Sequence, residues 1–240
     1  QRNNYLKQLQ QKKATDTLYL EVLSEQLAQF AGAIIVKRLE FLAELERYAK
    51  EIHSQITQDK EQLAFSYESS LKEPSQATEN EITEALKKGF ANLQQKEIFQ
   101  GTTLLGPHRD DVVFKINEQN VQIYGSQGQQ RTTALSVKLA EIELMKSKTG
   151  EYPILLLDDV LSELDGNRQT HLLKTIQGRV QTFLTTPGLN DITQQLIKEP
   201  KIFHIDDGQI SENSEMAENH IDWISEDENK VVTFYPKNEK

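Results

Sequence analysis

The segment Ile154-Leu155-Leu156-Leu157-Asp158-Asp159 joins an apolar run to two adjacent carboxylates, and it decides how the fold is interpreted. The nearly continuous apolar run from Pro153 to Asp159 predicts a strand that is buried on both faces, as in a parallel sheet. Ligands of open α/β sheets bind at the carboxyl ends of such strands. Because side chains alternate along a strand, one carboxylate could bind Mg²⁺ while the other addresses an attacking water. A buried strand that ends in two solvated aspartates is the alternative.

The sequence around this run predicts an α/β nucleotide-binding core. From Gly101 onward, short β-branched segments alternate with helical stretches. The predicted strands are Val112–Ile116, Val121–Tyr124, Val180–Thr185 and Ile202–Ile205, and the predicted helices are Gln129–Lys148 and Gly166–Gln177. A hairpin turn is expected at 117–120, and a further turn at 207–208.

The residues before Gly101 predict a helical arm. Tyr5–Ile56 contains no proline and repeats apolar residues at helical intervals, and Gly32 would mark a bend. The apolar seam consists of Ile35, Leu39, Leu42, Ala49, Ile52 and Ile56. Ser66–Asn80 would be a loop and Glu81–Gln100 a second helix. We therefore expect a helical arm over 1–100, an α/β lobe over 101–210 and an acidic, mobile tail over 211–240.

Composition narrows the class of protein. The 240 residues are 37% hydrophobic and 27% charged, and their net charge of −10 argues against a surface coated in positive charge for nucleic acid. A local basic face would still bind DNA. The chain has no cysteine, which excludes disulfides and thiolate metal sites. No apolar run is long enough to cross a bilayer, and the first residues do not form a secretory signal, so a cytoplasmic location is expected.

A second candidate site is the loop Gly125–Arg131, which opens a predicted helix. It supplies a hydroxyl, a glycine without a side chain and exposed amides at a helix amino terminus, and together these form an anion-binding site. The residues predicted to bind a cofactor there are Ser126, Gln127, Gly128 and Gln129. A loop that merely caps the helix is the alternative. The position of this loop before the Asp158-Asp159 strand favours anion binding.

Three blocks, in this order, resemble the RecF family of bacterial recombination mediators, which have SMC-like ATPase heads. The blocks are Gly106–Asp111, Gly125–Thr132 and Pro153–Asp165. Within them, Gly125–Arg131 resembles the ABC signature motif, Ile154–Asp159 the Walker B motif and Val160–Asp165 the D-loop. The resemblance covers roughly residues 1–210, and the helical arm is its least specific part. It implies an α/β fold, the carboxy-terminal lobe of an ABC/SMC-like ATPase head, with an inserted helical arm domain.

The resemblance also implies a function. RecF-like proteins bind ATP and Mg²⁺, and two ATP-bound heads form a homodimer in which each signature helix closes the partner's site. They bind DNA at gaps or single-strand/double-strand junctions and, with RecR-type and RecO-type mediators, help to load recombinase in DNA repair, the SOS response and replication-fork recovery. Residue by residue, it implies that Asp158 is the Mg²⁺ ligand and Asp159 the catalytic residue. It also adds Ser162, Asp165 and Thr185 to the nucleotide-binding set. No membrane association is implied.

Two departures and one absence bear on the implied activity. Asp159 stands where most ABC ATPases have glutamate, and Thr185 and Thr186 stand where they have the switch histidine. Both departures suit slow hydrolysis, because the aspartate side chain is shorter than that of glutamate and threonine is a poor proton carrier. The chain contains no Gly-Lys pair and therefore no phosphate-binding P-loop. We expect that element in an amino-terminal lobe before Gln1, a weak DNA-dependent ATPase activity in the complete protein, and no activity in this chain alone.

Other interpretations stay open. His108 and Arg109 would contact phosphate, nucleotide or DNA, or would instead pair with Asp110 and Asp111 to fasten the sheet. Three further, scattered histidines predict no metal centre and would be surface or packing residues: His53, His171 and His204. The alternatives at the level of function are another SMC-like ATPase head and a non-enzymatic helical scaffold for protein partners.

Overall fold

The computed structural model describes residues 1–161, 164–186, 201–206, 209–212 and 229–234 and divides the chain into two compact units. Unit 1 comprises Gln1–Lys50 and Gln62–Ser126, and unit 2 comprises Glu51–Glu61 and Gln127–Lys240. This division differs from the expected boundary at residue 100, because a strand from within the arm pairs with a strand that follows Gly101. No helix in the described ranges is both long and apolar enough to cross a membrane.

Unit 1 is built on helices and a small antiparallel sheet. Its helices are α1 (Arg2–Gln10), α2 (Leu18–Thr57, which continues into unit 2 after Lys50), α3 (Glu79–Gln100) and α4 (Val121–Tyr124), with a 3₁₀ turn at Pro74–Gln76. Its strands, in the order in which they pair, are β1 (Leu63–Glu68), β2 (Asp111–Ile116) and β3 (Gln119–Asn120). The main core cluster contains Ala28, Ala31, Ile35, Ile82, Leu86, Phe90 and Leu105.

Capping explains where α3 begins and ends. The Thr78 side chain accepts from the backbone of Glu81, and the Glu81 carboxylate accepts in return from the backbone of Thr78, so the two form a capping box. Gly101 ends the helix in the left-handed region at φ 65°, a conformation that suits glycine. The helix expected from Glu81 therefore begins at its capping box, two residues earlier.

Three local predictions in unit 1 were wrong. The expected loop Ser66–Asn80 overlaps β1, which pairs with β2 along its whole length. The expected strand Val121–Tyr124 is α4, because the Asn120 side chain accepts from the amides of Gln122 and Ile123 and starts a helix there. The hairpin turn is correspondingly tighter than 117–120, with positive φ at both central residues, 117 and 118.

Gly32 does not mark a bend. Helix α2 runs through it without interruption. A Cβ at this position would lie 2.3 Å from the Thr83 Oγ1 atom of α3. The glycine therefore permits a close approach of two helices, which is a packing role that its position in the sequence does not reveal.

Unit 2 contains a five-stranded sheet in the order β4-β5-β8-β6-β7. The strands are β4 (Leu155–Asp158), β5 (Thr182–Thr186), β6 (Lys201–Asp206), β7 (Gln209–Glu212) and β8 (Asn229–Phe234), and the helices are α5 (Gln127–Thr149) and α6 (Gly166–Ile176). β4 and β5 are parallel, whereas β8 pairs antiparallel with both β5 and β6. The α/β class and the predicted positions of α5, α6, β5 and β6 are confirmed.

Two features of this sheet differ from expectation. Part of the tail expected to be mobile forms β8, which lies between β5 and β6. β4 is not buried on both faces: it stands at the end of the strand order, and Ile154 and Leu156 are 62% and 73% exposed. Leu155 and Leu157 are only partly exposed. The turn expected at 207–208 lies outside the described residues.

Candidate functional site

The carboxyl end of β4 carries the two predicted acidic residues, and β5 supplies their neighbour. Asp158 pairs in register with Thr185. The Thr185 hydroxyl donates to Asp158 Oδ1 at 2.5 Å and accepts from the backbone N–H of Asp159 at 3.0 Å. Both carboxylates are exposed. One threonine hydroxyl thus links the two residues that the sequence assigns to metal binding and catalysis.

The backbone turns sharply at Asp159. Its φ of 51° lies in the left-handed region, which aspartate tolerates better than most residues. Its N–H donates to the Thr185 carbonyl at 3.2 Å as well as to the hydroxyl. Asp159 therefore does not continue β4, which ends at Asp158, so simple strand alternation does not describe the two residues. Thr186, which was grouped with Thr185 in the sequence, is buried.

The predicted signature residues begin helix α5. The helix starts at Gln127, so that Gln127, Gly128 and Gln129 lie in its first turn, while Ser126 immediately precedes it and is the last residue of unit 1. First-turn amides of a helix lack partners within the helix, and the helix dipole is positive at this end. A helix of 23 residues with such a start can stabilise an anion.

Arg168 of α6 adds a positive charge at the start of α5. A Cβ on Gly128 would lie 3.3 Å from the Arg168 guanidinium, so a side chain there would crowd it. Arg168 Nε donates to the Thr132 hydroxyl at 2.5 Å, and Thr132 in turn donates to the Gly128 carbonyl at 2.7 Å. Sequence reasoning missed Arg168, which lies in none of the motif blocks.

Asp165, which was predicted to bind nucleotide, is engaged within its own helix. Its Oδ1 accepts from the Arg168 backbone N–H at 3.0 Å as the cap of α6. Its Oδ2 accepts from the Arg168 side chain. Asp165 therefore orients Arg168 in this structure. Ser162, the other predicted D-loop residue, lies outside the described residues.

A buried polar network joins the end of α2 to the start of α5. The Gln129 side-chain amide donates to Glu61 Oε1 at 3.0 Å, and Glu61 Oε2 lies 3.2 Å from His53 Nε2. His53 Nδ1 lies 3.1 Å from Ser136 Oγ, and both of these side chains are fully buried. Burial lowers the pKa of His53, and the Glu61 carboxylate opposes that shift. The only sequence signal was a histidine beside the apolar seam position Ile52.

The Gly106–Asp111 block is held by internal contacts of unit 1. Asp110 accepts from the Tyr67 hydroxyl at 2.6 Å and from both the backbone N–H and the hydroxyl of Ser70, at 2.9 and 3.0 Å. Arg109 donates twice to the Thr103 carbonyl. These contacts favour structural roles for Arg109 and Asp110, but through Thr103, Tyr67 and Ser70 and not through the expected pairing of Arg109 with Asp110. His108 is exposed.

Of the other two histidines singled out in the sequence, the structure describes the side chain of His171. His171 is partly buried, and that burial lowers its pKa. The side chain of His204 lies outside the described residues. Among the residues that the structure describes, no three His, Asp or Glu side chains come together as a metal-binding group.

Comparisons with known proteins point to one family. The chain is 68% identical over 214 residues to the DNA replication and repair protein RecF of Ligilactobacillus salivarius, an alignment that covers 89% of this chain and 56% of that protein. It is 51% identical over 210 residues to RecF of Bacillus subtilis, with 88% and 57% covered. The chain thus spans little more than half the length of these curated relatives. No family model matches the chain.

The fold is similar to solved structures of the same kind. A structure of the recombination mediator protein RecF-ATP in the RecFOR pathway superposes with a TM-score of 0.76 at 34% identity and covers 89% of this chain and 55% of that one. A second structure of the same mediator gives a TM-score of 0.75 at 34% identity, with 88% and 54% covered. The similarity extends across both units of the chain.

Proposed function

The chain belongs to the RecF family, and from this premise we propose that it is part of an ATP-binding protein of DNA replication and repair. The full-length protein is taken here as a chain of the relatives' length that contains these 240 residues. It would bind DNA at gaps or single-strand/double-strand junctions and, with RecR-type and RecO-type mediators, help to load recombinase. ATP would bring two heads together as a homodimer, and slow hydrolysis would release them.

The observation that carries the proposal is the Asp158-Thr185-Asp159 arrangement at the end of β4. Carboxylate and hydroxyl oxygens are the donors that Mg²⁺ prefers, and the Asp158 carboxylate and the Thr185 hydroxyl provide both within 2.5 Å of each other. This donor set fits Mg²⁺ that is shared with nucleotide phosphates, because such ions take only one or two protein carboxylates. Bound Mg²⁺ would neutralise charge on the phosphates.

The roles of the remaining residues follow from their chemistry. Asp159, exposed and turned away from the strand, would orient or deprotonate the attacking water. The amides at the start of α5, with Ser126 before them, would receive the γ-phosphate held by a partner subunit. Arg168, which Asp165 orients beside Gly128, would offer guanidinium N–H donors at that end of the helix.

Asp159→Asn in the full-length protein tests the catalytic role. The amide keeps size and hydrogen bonding but cannot accept a proton, so ATP turnover should fall by roughly 10²-fold or more while ATP-driven dimerisation persists. Steady-state ATPase assays and sedimentation with ATP measure the two properties. Asp111→Asn, at an exposed aspartate of unit 1, is the matched control and should change neither. Unchanged turnover of Asp159→Asn would remove Asp159 from this role.

Two further variants test the rest of the site, the first by its affinity for Mg·ATP and the second by sedimentation with ATP. Asp158→Ala should weaken Mg²⁺-dependent ATP binding, because a metal ligand is lost. Ser126→Arg should block ATP-driven dimerisation without unfolding the protein, because a long cationic side chain would fill the space for the partner's phosphate. A normal dimer of Ser126→Arg would contradict the proposed role of this helix start.

A further inference from the structure

We propose that Glu61, anchored by the buried His53, is a positioning residue that holds the Gln129 side chain at the start of α5. The last residues of α2 and the turn that follows them would then set the geometry of the nucleotide-facing end of α5. This inference rests on the proposed function, since it concerns the same helix start. It assigns a role to residues that lie outside every motif block.

The first argument is that Glu61 has both carboxylate oxygens engaged. Oε1 accepts from the Gln129 amide at 3.0 Å, and Oε2 faces His53 Nε2 at 3.2 Å. An ionised carboxylate only accepts hydrogen bonds, so both neighbours must donate to it. Bonds to an ionised acceptor are about twice as strong as neutral ones. The carboxylate therefore restrains Gln129 more firmly than a neutral partner would.

The second argument is that burial and hydrogen bonds fix the His53 ring beside Glu61. Its side chain is 0% exposed, and both ring nitrogens have partners. Because an ionised Glu61 can only accept, the neutral ring must carry its proton on Nε2. Nδ1 then faces Ser136 Oγ at 3.1 Å, and the one hydrogen of that hydroxyl is shared between Nδ1 and the Thr132 carbonyl, which lies at 2.8 Å. Burial lowers the pKa of the ring, which favours this neutral form.

The third argument is the position of the network on α5. Gln129 lies in the first turn of α5, and Ser136, which His53 contacts at 3.1 Å, lies farther along the same helix. Residues at and just after the end of α2 thus contact α5 at two positions along its length: Glu61 contacts Gln129, and His53 contacts Ser136. A restrained glutamine loses its rotamer freedom on folding and not on binding, and such preorganisation favours association.

The experiment uses the full-length protein and ATP as the ligand. Glu61→Ala should weaken ATP-driven dimerisation about tenfold, the usual effect of losing a hydrogen bond to a charged group, while ATP affinity of the monomer stays unchanged. Glu61→Gln should restore most of it, because a side-chain carbonyl still accepts from Gln129. Glu143→Ala is the matched control, since Glu143 in the same unit is similarly exposed, 26% against 22%. It should dimerise as the wild type does.

A double-mutant cycle separates positioning from general loss of structure. If Glu61 acts through Gln129, Glu61→Ala should add nothing to Gln129→Ala in dimerisation, whereas independent effects on folding would add. Glu61→Gln should also move the His53 proton from Nε2 to Nδ1, because the new amide donates to Nε2. Ring ¹⁵N shifts would report that change.

The possible results distinguish the two proposals. If Ser126→Arg blocks dimerisation but Glu61→Ala dimerises as well as the wild type or better, the positioning role is wrong and the proposed function stands. Additive effects in the cycle overturn the positioning role as well. If Ser126→Arg also dimerises normally, the proposed function itself has failed.

Discussion

The Gly106–Asp111 block and the end of β4 resemble the RecF family in the same way, yet their polar groups are used differently. In the first, Asp110 accepts several hydrogen bonds from Tyr67 and the turn at Ser70. In the second, Asp158 and Asp159 remain exposed, and Thr185 is the neighbour that links them. Asp110 fastens unit 1, whereas Asp158 and Asp159 lie exposed at the end of β4, where the proposed function requires Mg²⁺ and nucleotide.

The difference arises from what surrounds each carboxylate. Asp110 lies beside a turn whose backbone N–H and hydroxyls all donate to it, so its hydrogen-bonding capacity is filled within the fold. Asp158 ends a strand at the margin of the sheet, next to the exposed Leu156. Similarity to a family motif therefore does not show whether a carboxylate is filled by donors of the fold, as at Asp110, or exposed at the end of a strand, as at Asp158.

The largest effect on stability is expected in unit 1, on removal of a buried ion-pair partner. Arg2 is buried, bridges Glu97 at 2.5 Å and donates to the Thr103 hydroxyl at 2.8 Å, just before the Gly106 block. Arg2→Ala leaves the fully buried Glu97 without its ionic partner and should lower the free energy of unfolding by about 3–5 kcal/mol. Urea unfolding of the 240-residue chain measures this. Lys37→Ala, which removes an exposed ion pair with Glu40, is the control and should leave the unfolding midpoint unchanged.

A smaller effect is expected at Tyr67. Tyr67→Phe removes one of the donors to Asp110 and should cost about 1 kcal/mol of unfolding free energy. Burial and the hydrogen bond to Asp110 raise the pKa of Tyr67 to about 12. Since the folded pKa lies above the unfolded value of 10.0, the stability that the neutral phenol contributes is present below pH 10 and is lost as the pH rises toward 12.

Spectrophotometric titration of tyrosinate in wild type and Tyr67→Phe checks this assignment. The difference between the two curves isolates one of the seven tyrosines. A difference curve with its midpoint near pH 10 would mean that Tyr67 is not held by Asp110 in solution.

The smallest effect on stability is expected on β4, whose end carries the exposed carboxylates. Leu156 is 73% exposed, so Leu156→Glu should change the unfolding free energy by less than about 0.5 kcal/mol. Self-association of the 240-residue chain should nevertheless decrease, because an apolar strand at the margin of a sheet promotes pairing between molecules. Sedimentation velocity measures this, with Val22→Glu at an exposed apolar residue of unit 1 as the control. Equal association of Leu156→Glu and wild type would contradict the role of this strand.

Sequence reasoning worked where a signal is local and periodic. Helical spacing of apolar residues predicted α5, and a β-branched run predicted β5. In the structure, β5 pairs with β4 and places Thr185 opposite Asp158. It failed where one side chain overrides the pattern: Asn120 turns a β-branched segment into the short helix α4. It also failed where acidic surroundings concealed the strand β8.

The contacts that complete the candidate site were beyond prediction because their partners are distant in sequence. Gln129 and Glu61 are separated by 68 positions, and Thr132 and Arg168 by 36. Neither Glu61 nor Arg168 lies in a recognisable motif. Their effect depends on tertiary packing, which brings the end of α2 and the start of α6 to the first turns of α5.

The left-handed backbone at Asp159 restricts which residues this position can accept. At φ 51°, glycine, asparagine and aspartate fit with little strain, whereas most other side chains would cost roughly 1–2 kcal/mol. Glutamate at this position would therefore lower the stability of the local backbone, although its side chain reaches farther. Asparagine carries no such penalty, so Asp159→Asn should preserve the backbone conformation and remove only the charge.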